Sequence, residues 1–154
     1  MENTEILIRL SLALLLGMII GTERVFAGKT AGMRTYALVS IGSALFVIVS
    51  QIVTENFLGR TMFDPLRVAS QIVVGIGFLG AGMIILSGEQ IIGLTTASGI
   101  WVAAGIGMAA GFGLFNLAIL ATALTLIVFT LLWFFESKIK EWRERFEKKI
   151  KESK

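Results

Sequence analysis

The sequence predicts an all-α fold: a polytopic bundle of about five transmembrane helices followed by a charged C-terminal helix. Three observations predict it. Of 154 residues, 55% are hydrophobic and 16% charged, and the mean hydropathy is +0.83; an ordinary soluble domain carries about a quarter charged residues. The charge is also segregated, since eight of the fourteen Lys and Arg and five of the eleven acids follow Phe135. Finally, the remaining chain falls into five long apolar runs without strict alternation. In lipid the backbone has no water to bond, so such runs form helices or a closed barrel, and unbroken runs favour helices.

A helix needs roughly 20 apolar residues to cross the hydrocarbon core. The first run covers 6–20 and is interrupted only by Arg9, close enough to its start to snorkel to the interface. The second, 36–53, has Gln51 near its end, and the third, 68–86, contains Gln71. Asp64-Pro65 supplies the turn before the third run. A fourth covers 91–110, and the fifth, 114–135, is the longest and most uniformly apolar. Gln51 and Asn116, both near run ends, are expected simply to reach the interface. No low-complexity linker intervenes, so the reading is one membrane domain, 1–135, with an amphipathic cytoplasmic helix, 136–154.

Basic residues in short loops set orientation. Arg24, Lys29 and Arg34 lie in the first loop and eight Lys and Arg in the tail, while Arg60 and Arg67 lie in the second loop. Five spans put the first loop and the tail on one side, which gives a multi-pass inner-membrane protein with N-terminus out and C-terminus in. Glu2 and Glu5 stand where a signal peptide would be positive, so the first run is expected to stay as an anchor. In the tail, Ile139, Trp142, Phe146 and Ile150 share a helical face. Glu141–Arg145, Glu144–Lys148 and Glu147–Lys151 are Glu-first pairs four apart. This describes a charged helix continuing the fifth span, its stripe touching headgroups or a second copy.

The absences narrow the chemistry. The chain has no Cys and no His, which removes disulfides, thiolate catalysis, Cys-ligated metal, the commonest metal ligand and the usual general base. No residue set supplies a nucleophile beside a base. An enzyme is therefore not expected, nor a catalytic residue, a cofactor or a metal site. The +3 net charge does not imply nucleic acid, because the basic tail alternates with Glu directly after an apolar run.

Glycine is abundant where it is costly. Gly75, Gly77, Gly80 and Gly82 lie in the third run, and Gly105, Gly107 and Gly111 echo them thirty residues on. Each costs about 1 kcal/mol against alanine in a helix. Close helix packing is one compensation; a broken helix whose backbone binds an ion is the other. A soluble nucleotide-binding loop is excluded, because both flanks are apolar and the third run holds no lysine or acid. Gln71, Thr95 and Thr96 either line a hydrophilic path or bond within and between helices as glue. Glu23, Arg24, Lys29, Arg34, Thr35 and the third-loop Glu89 are placed by topology on one inner surface. They are either plain interfacial charges or a polar cluster, and three cations there favour an anionic phosphate or lipid headgroup.

The run Gly17-x-x-x-Gly21-Thr22-Glu23-Arg24, then Gly28-Lys29-x-Ala31-Gly32-x-Arg34-Thr35-x-x-Leu38-Val39, resembles the amino-terminal signature of the MgtC/SapB family. A second signature is similar to Gln71-Ile72-Val73-x-Gly75-Ile76-Gly77-Phe78-Leu79-Gly80-Ala81-Gly82 with Gly93-Leu94-Thr95-Thr96-Ala97 and Trp101. The resemblance implies a five-span inner-membrane protein associated with magnesium limitation and virulence-type adaptation. It implies a non-enzymatic regulator of membrane physiology, with a membrane-protein partner such as an F-type ATP synthase or a magnesium transporter. Two departures stand out: longer members carry a soluble ACT-like C-terminal domain where this chain has a short helix, and Ser98-Gly99 replaces bulkier residues. A magnesium site in this chain is disfavoured, since magnesium wants carboxylates and water in octahedral geometry and the span interiors contain no acid. The alternative function is a small homo-oligomeric ion transporter or channel. On either view the glycine faces and the thin bundle predict a homo-oligomer in the lipid bilayer, without nucleic acid.

Overall fold

The computed structural model of the protein describes residues 1–56 and 64–152. Arg60, and the side chains of Glu144, Glu147, Lys148, Ile150 and Lys151 in the tail pattern, lie outside the described residues. The elements are α1 (Asn3–Phe26), α2 (Met33–Asn56), α3 (Pro65–Gly82), β1 (Ile85–Ser87), β2 (Gln90–Ile92), α4 (Leu94–Gly111), α5 (Phe115–Ile127), a π-helical turn (Val128–Leu132) and α6 (Trp133–Glu152). Among the described residues four helical stretches are long and apolar enough to cross a membrane: α1, α2, α4, and the continuous Phe115–Arg143. The shorter α3, with 18 residues, rises about 27 Å at ~1.5 Å per residue, close to the roughly 30 Å of a hydrocarbon core. The fold is a helical membrane bundle, as the runs predicted.

The ends of α3 show local sequence logic. Asp64 caps its start by accepting the Leu66 N–H at 2.9 Å, and Pro65 occupies the first turn, where no N–H is needed. At the other end the expectation fails. The third run was expected to stay helical to residue 86 and the fourth to begin at 91, yet helix stops at Gly82 and resumes at Leu94. Between them an antiparallel hairpin pairs Ile85 with Ile92, Leu86 with Ile91 and Ser87 with Gln90. Gly88, at φ +63, takes the first of two turn positions, the conformation a two-residue hairpin loop demands. Gly93, at φ +93, begins α4 against the Met83 carbonyl, so both its backbone and its neighbour exclude a side chain.

The centre of the bundle is α4, which packs against α1, α2, α3 and α5. Gly99, Ala103, Gly107 and Gly111, spaced by four, are all buried on it. A Cβ on Gly107 would lie 2.8 Å from the Ser40 Cα, and one on Gly111 would lie 2.9 Å from the Ala44 Cα. On α1, a Cβ on Gly17 would meet the Ala37 Cα at 2.9 Å. Three backbones thus touch with no side chain between them, as small-xxx-small helix pairs in membranes do. Ile20, Tyr36, Val47, Ile100, Ile106 and Phe129 fill the space around this seam.

The packing role foreseen for seven glycines therefore divides. Gly107 and Gly111 sit at a backbone contact, and Gly80 faces the Ala97 Cβ at 3.7 Å. Gly75, Gly77, Gly82 and Gly105 have open space where a Cβ would stand. The two echoed segments do not meet glycine to glycine, because α3 is largely exposed, with only Ile72, Ile76 and Gly80 buried on it.

Gly107→Val should lower the stability of the detergent-solubilised protein by about 1–3 kcal/mol or abolish folding, as overpacking does. Gly105→Ala should be neutral or raise stability by up to about 1 kcal/mol. Thermal unfolding of the two variants checks this; equal effects would contradict the assignment of the seam.

Candidate functional site

Alternating helix directions bring the end of α1, the starts of α2 and α4, and the π-helical turn to one end of the bundle. Arg24 is buried there, 3% exposed, and its Nε donates to the Glu23 Oε2. Its guanidinium carbon lies 3.6 Å from the centroid of the Phe129 ring, close enough for a cation–π contact. The fully buried Tyr36 hydroxyl donates to the Thr96 carbonyl at 3.4 Å, linking α2 to the first turn of α4. Between these groups sits Gly99, where a Cβ would come within 2.6 Å of the Phe129 Cζ. The Ser98-Gly99 departure has its physical reason here: the Tyr36 hydroxyl and the Phe129 ring occupy the room a larger residue 99 would need. Ser98 is exposed and donates to the Leu94 carbonyl at 2.9 Å.

The six-residue polar cluster expected at this end contracts to a pair. Glu23 and Arg24 are joined, but Lys29, Arg34, Thr35 and Glu89 are exposed, and among the described residues no ion pair ties them to it. The pair is neutral as a unit, so the excess of cation that favoured an anionic partner is not gathered at this point. Gln71, Thr95 and Thr96 are likewise not on one path. Gln71 is exposed near the start of α3, while Thr95 and Thr96 open α4 at the opposite end. Gln71 lines an apolar groove of about 500 Å³ between α2 and α3, with Leu38, Phe46, Val68 and Leu79. Thr95 is exposed, whereas Thr96 is buried and contributes its backbone carbonyl.

A second polar centre, at the other end, was not anticipated. Arg9 does not snorkel freely; its side chain is 12% exposed. It donates to the Glu5 Oε1 at 2.5 Å, the Gln51 Oε1 at 2.7 Å and the Gly111 carbonyl at 2.6 Å. Gln51 is thus an acceptor between helices, not an interfacial terminus. The Gly111 carbonyl belongs to the last turn of α4, where helix carbonyls lack partners and a cation is favoured. One side chain of α1 thereby fixes the ends of α2 and α4. The signals were present: Glu5 precedes Arg9 by four, and topology brings Gln51 to the same depth. Among the described residues no three His, Cys, Asp or Glu gather in metal-binding geometry.

The family model described as "MgtC family" matches residues 10–138. The chain is 47% identical over 128 residues to YhiD of Escherichia coli (strain K12), named as a candidate magnesium transporter; the match covers 82% of this chain and 60% of that protein. It is 45% identical over 120 residues to "Protein MgtC" of Brucella abortus (strain 2308), covering 78% of this chain and 48% of that one. To "Protein SapB" of Bacillus subtilis (strain 168) it is 40% identical over 102 residues, 64% of this chain and 44% of that protein. The aligned part is thus at most 60% of the length of these relatives. No solved structure matches the chain significantly.

Arg24→Met should cost about 3 kcal/mol of stability, because it strands a largely buried carboxylate. The double variant Glu23→Gln with Arg24→Met should recover part of that loss, since it removes both charges together. Unfolding in detergent measures both; strictly additive losses would argue against a coupled pair.

Proposed function

This chain belongs to the MgtC family, and from that premise we propose that it is a non-enzymatic regulator of membrane physiology, linked to magnesium limitation and virulence-type adaptation. It works as a homo-oligomer in the inner membrane, with N-terminus out and C-terminus in. The observation that carries the reading is the closed interior. The α1, α2 and α4 backbones touch at Gly17, Gly107 and Gly111, and each buried arginine of α1 meets a carboxylate of the same helix. Such an interior is held by contacts among its own residues, as a packed helical bundle is. Its working surface is then the outside of the bundle, foremost α3. That helix exposes Val74, Phe78 and Leu79 beside open Gly75, Gly77 and Gly82. Gly75 and Gly82, seven apart, share one side of the helix, and small residues there admit a neighbouring membrane helix at close range. A second copy comes first, and a partner such as an F-type ATP synthase or a magnesium transporter could be engaged through the same oligomer.

The second reading, a homo-oligomeric ion transporter, is favoured by one observation: Gln71 is exposed on this same helix. A path would then form between copies instead of within one. The name of the Escherichia coli relative points the same way.

Two measurements separate the readings. In liposomes loaded with a magnesium-sensitive dye, the purified chain should give no flux above protein-free vesicles. Flux abolished by Glu23→Ala or Thr96→Val would overturn the regulator reading. Because the chain has no native Cys, single-Cys variants report contacts cleanly. Phe78→Cys on α3 should crosslink in native membranes, while Leu120→Cys, exposed on α5, should not. Monomer only from both would remove the α3 interface.

A further inference from the structure

A lateral cleft of about 730 Å³ opens between the end of α1 and the π-helical turn. Its walls are Phe26, Phe129, Trp133 and Phe134, with Thr22, Glu23 and Thr130 as the polar groups among them. We propose that this cleft binds the primary ammonium headgroup of an ethanolamine phospholipid, through the Glu23 carboxylate and the Phe26 and Trp133 rings. The site is separate from the α3 face and independent of the regulator reading.

The chemistry of the polar lining selects the ligand. The Thr22 hydroxyl spends its proton on the Met18 carbonyl at 2.7 Å, and Thr130 spends its own on the Leu126 carbonyl at 2.7 Å. Both hydroxyls therefore present lone pairs to the cleft. Glu23 gives one oxygen to Arg24 but, as a carboxylate with about four lone-pair sites, keeps further acceptor capacity. All three polar side chains accept and none has a proton to give, so the matching headgroup brings several N–H donors. A primary ammonium has three; a phosphate or a glycerol headgroup does not supply a cluster of charged donors, and a quaternary ammonium has no N–H at all.

The rings point to the same class. Aromatic faces attract cations, and two faces near the cleft already hold one: Arg24 over Phe129 at 3.6 Å and Lys138 over Phe134 at 4.7 Å. Phe26 and Trp133 carry no such partner among the described residues, and they are 87% and 62% exposed. The position selects a lipid over a dissolved amine. The cleft opens sideways where the apolar run gives way to the charged tail, the level at which aromatic residues meet headgroups.

Native mass spectrometry tests this on the full chain, purified in detergent and offered equimolar palmitoyl-oleoyl phosphatidylethanolamine, phosphatidylcholine and phosphatidylglycerol. The wild type should retain the ethanolamine lipid at least about threefold over each of the others, the scale of one net hydrogen bond. Glu23→Gln should remove the preference. Because that change disturbs the Arg24 pair, the double variant Phe26→Ala with Trp133→Leu keeps the pair intact and should lower retention of the ethanolamine lipid about threefold, the scale of one cation–π contact. Equal retention of the three lipids by the wild type would overturn the proposal. So would a preference for phosphatidylglycerol, or ethanolamine-lipid retention unchanged by loss of both rings in a folded variant.

Discussion

The structure depends on one close approach: the backbone of α2 lying directly against those of α1 and α4. Lipid tails are as apolar as leucine, so no hydrophobic force pulls membrane helices together; dispersion contacts and hydrogen bonds must do so. Dispersion falls steeply with distance, and only small residues bring enough atoms within range. The stripe Gly99, Ala103, Gly107, Gly111 meets that condition along the whole of α4. It is also why α4 can be short, 18 residues, and still carry the bundle. Each glycine costs helix propensity of about 1 kcal/mol, and the cost is offset only where a neighbour closes in, as Ser40 and Ala44 do here.

The charges of α1 are arranged around that seam. Arg9 and Arg24 stand fifteen residues apart, about 22 Å along a helix, and each, Arg24 buried and Arg9 partly buried, pairs with a carboxylate of α1 itself. A buried charge without a partner costs several kcal/mol, so pairing within one helix lets α1 enter the bundle without waiting for another element. Both arginines then act across helices as well. Arg9 ties α1 to the ends of α2 and α4 through Gln51 and Gly111, and Arg24 holds the π-helical turn through Phe129. A π turn widens the helix by one residue and is common where a side chain must be re-aimed; here it accompanies the burial of Phe129 among Arg24, Tyr36 and Gly99.

Much of the fold was legible because the bilayer imposes a simple rule on sequence. Run length and the segregation of charge at Phe135 were enough for a helical bundle; Asp64-Pro65 read as the turn before a run at 68, and the helix itself starts three residues earlier, at Pro65. The hairpin was hidden, because Ile85-Leu86 and Ile91-Ile92 read equally well as helix or strand and only the φ of Gly88 and Gly93 decides. At the site, grouping by topology put Glu23, Arg24 and Glu89 at one end but could not tell buried from exposed. Arg24 faces Phe129 while Lys29 and Arg34, ten residues away at most, face outward. The glycines of the central seam were legible by spacing, since Gly17-x-x-x-Gly21 and Gly107-x-x-x-Gly111 are four apart. Weight fell instead on the denser α3 cluster, where composition is richest and contact within the chain is poorest.

That mismatch is itself informative about α3. Its glycines carry the same propensity cost as those of α4, yet Gly75, Gly77 and Gly82 gain no neighbour in this chain. Solvation does not repay the cost either, because lipid gains nothing from a missing methyl group. A glycine-rich helix face that stays open in the monomer is therefore destabilising wherever the protein works alone. In the proposed oligomer another backbone would reach Gly75 and Gly82 from outside, as Ser40 reaches Gly107 within the chain. On that proposal the tight and the open glycine helices are one principle applied twice, first to close the bundle on itself and then to join it to a neighbour.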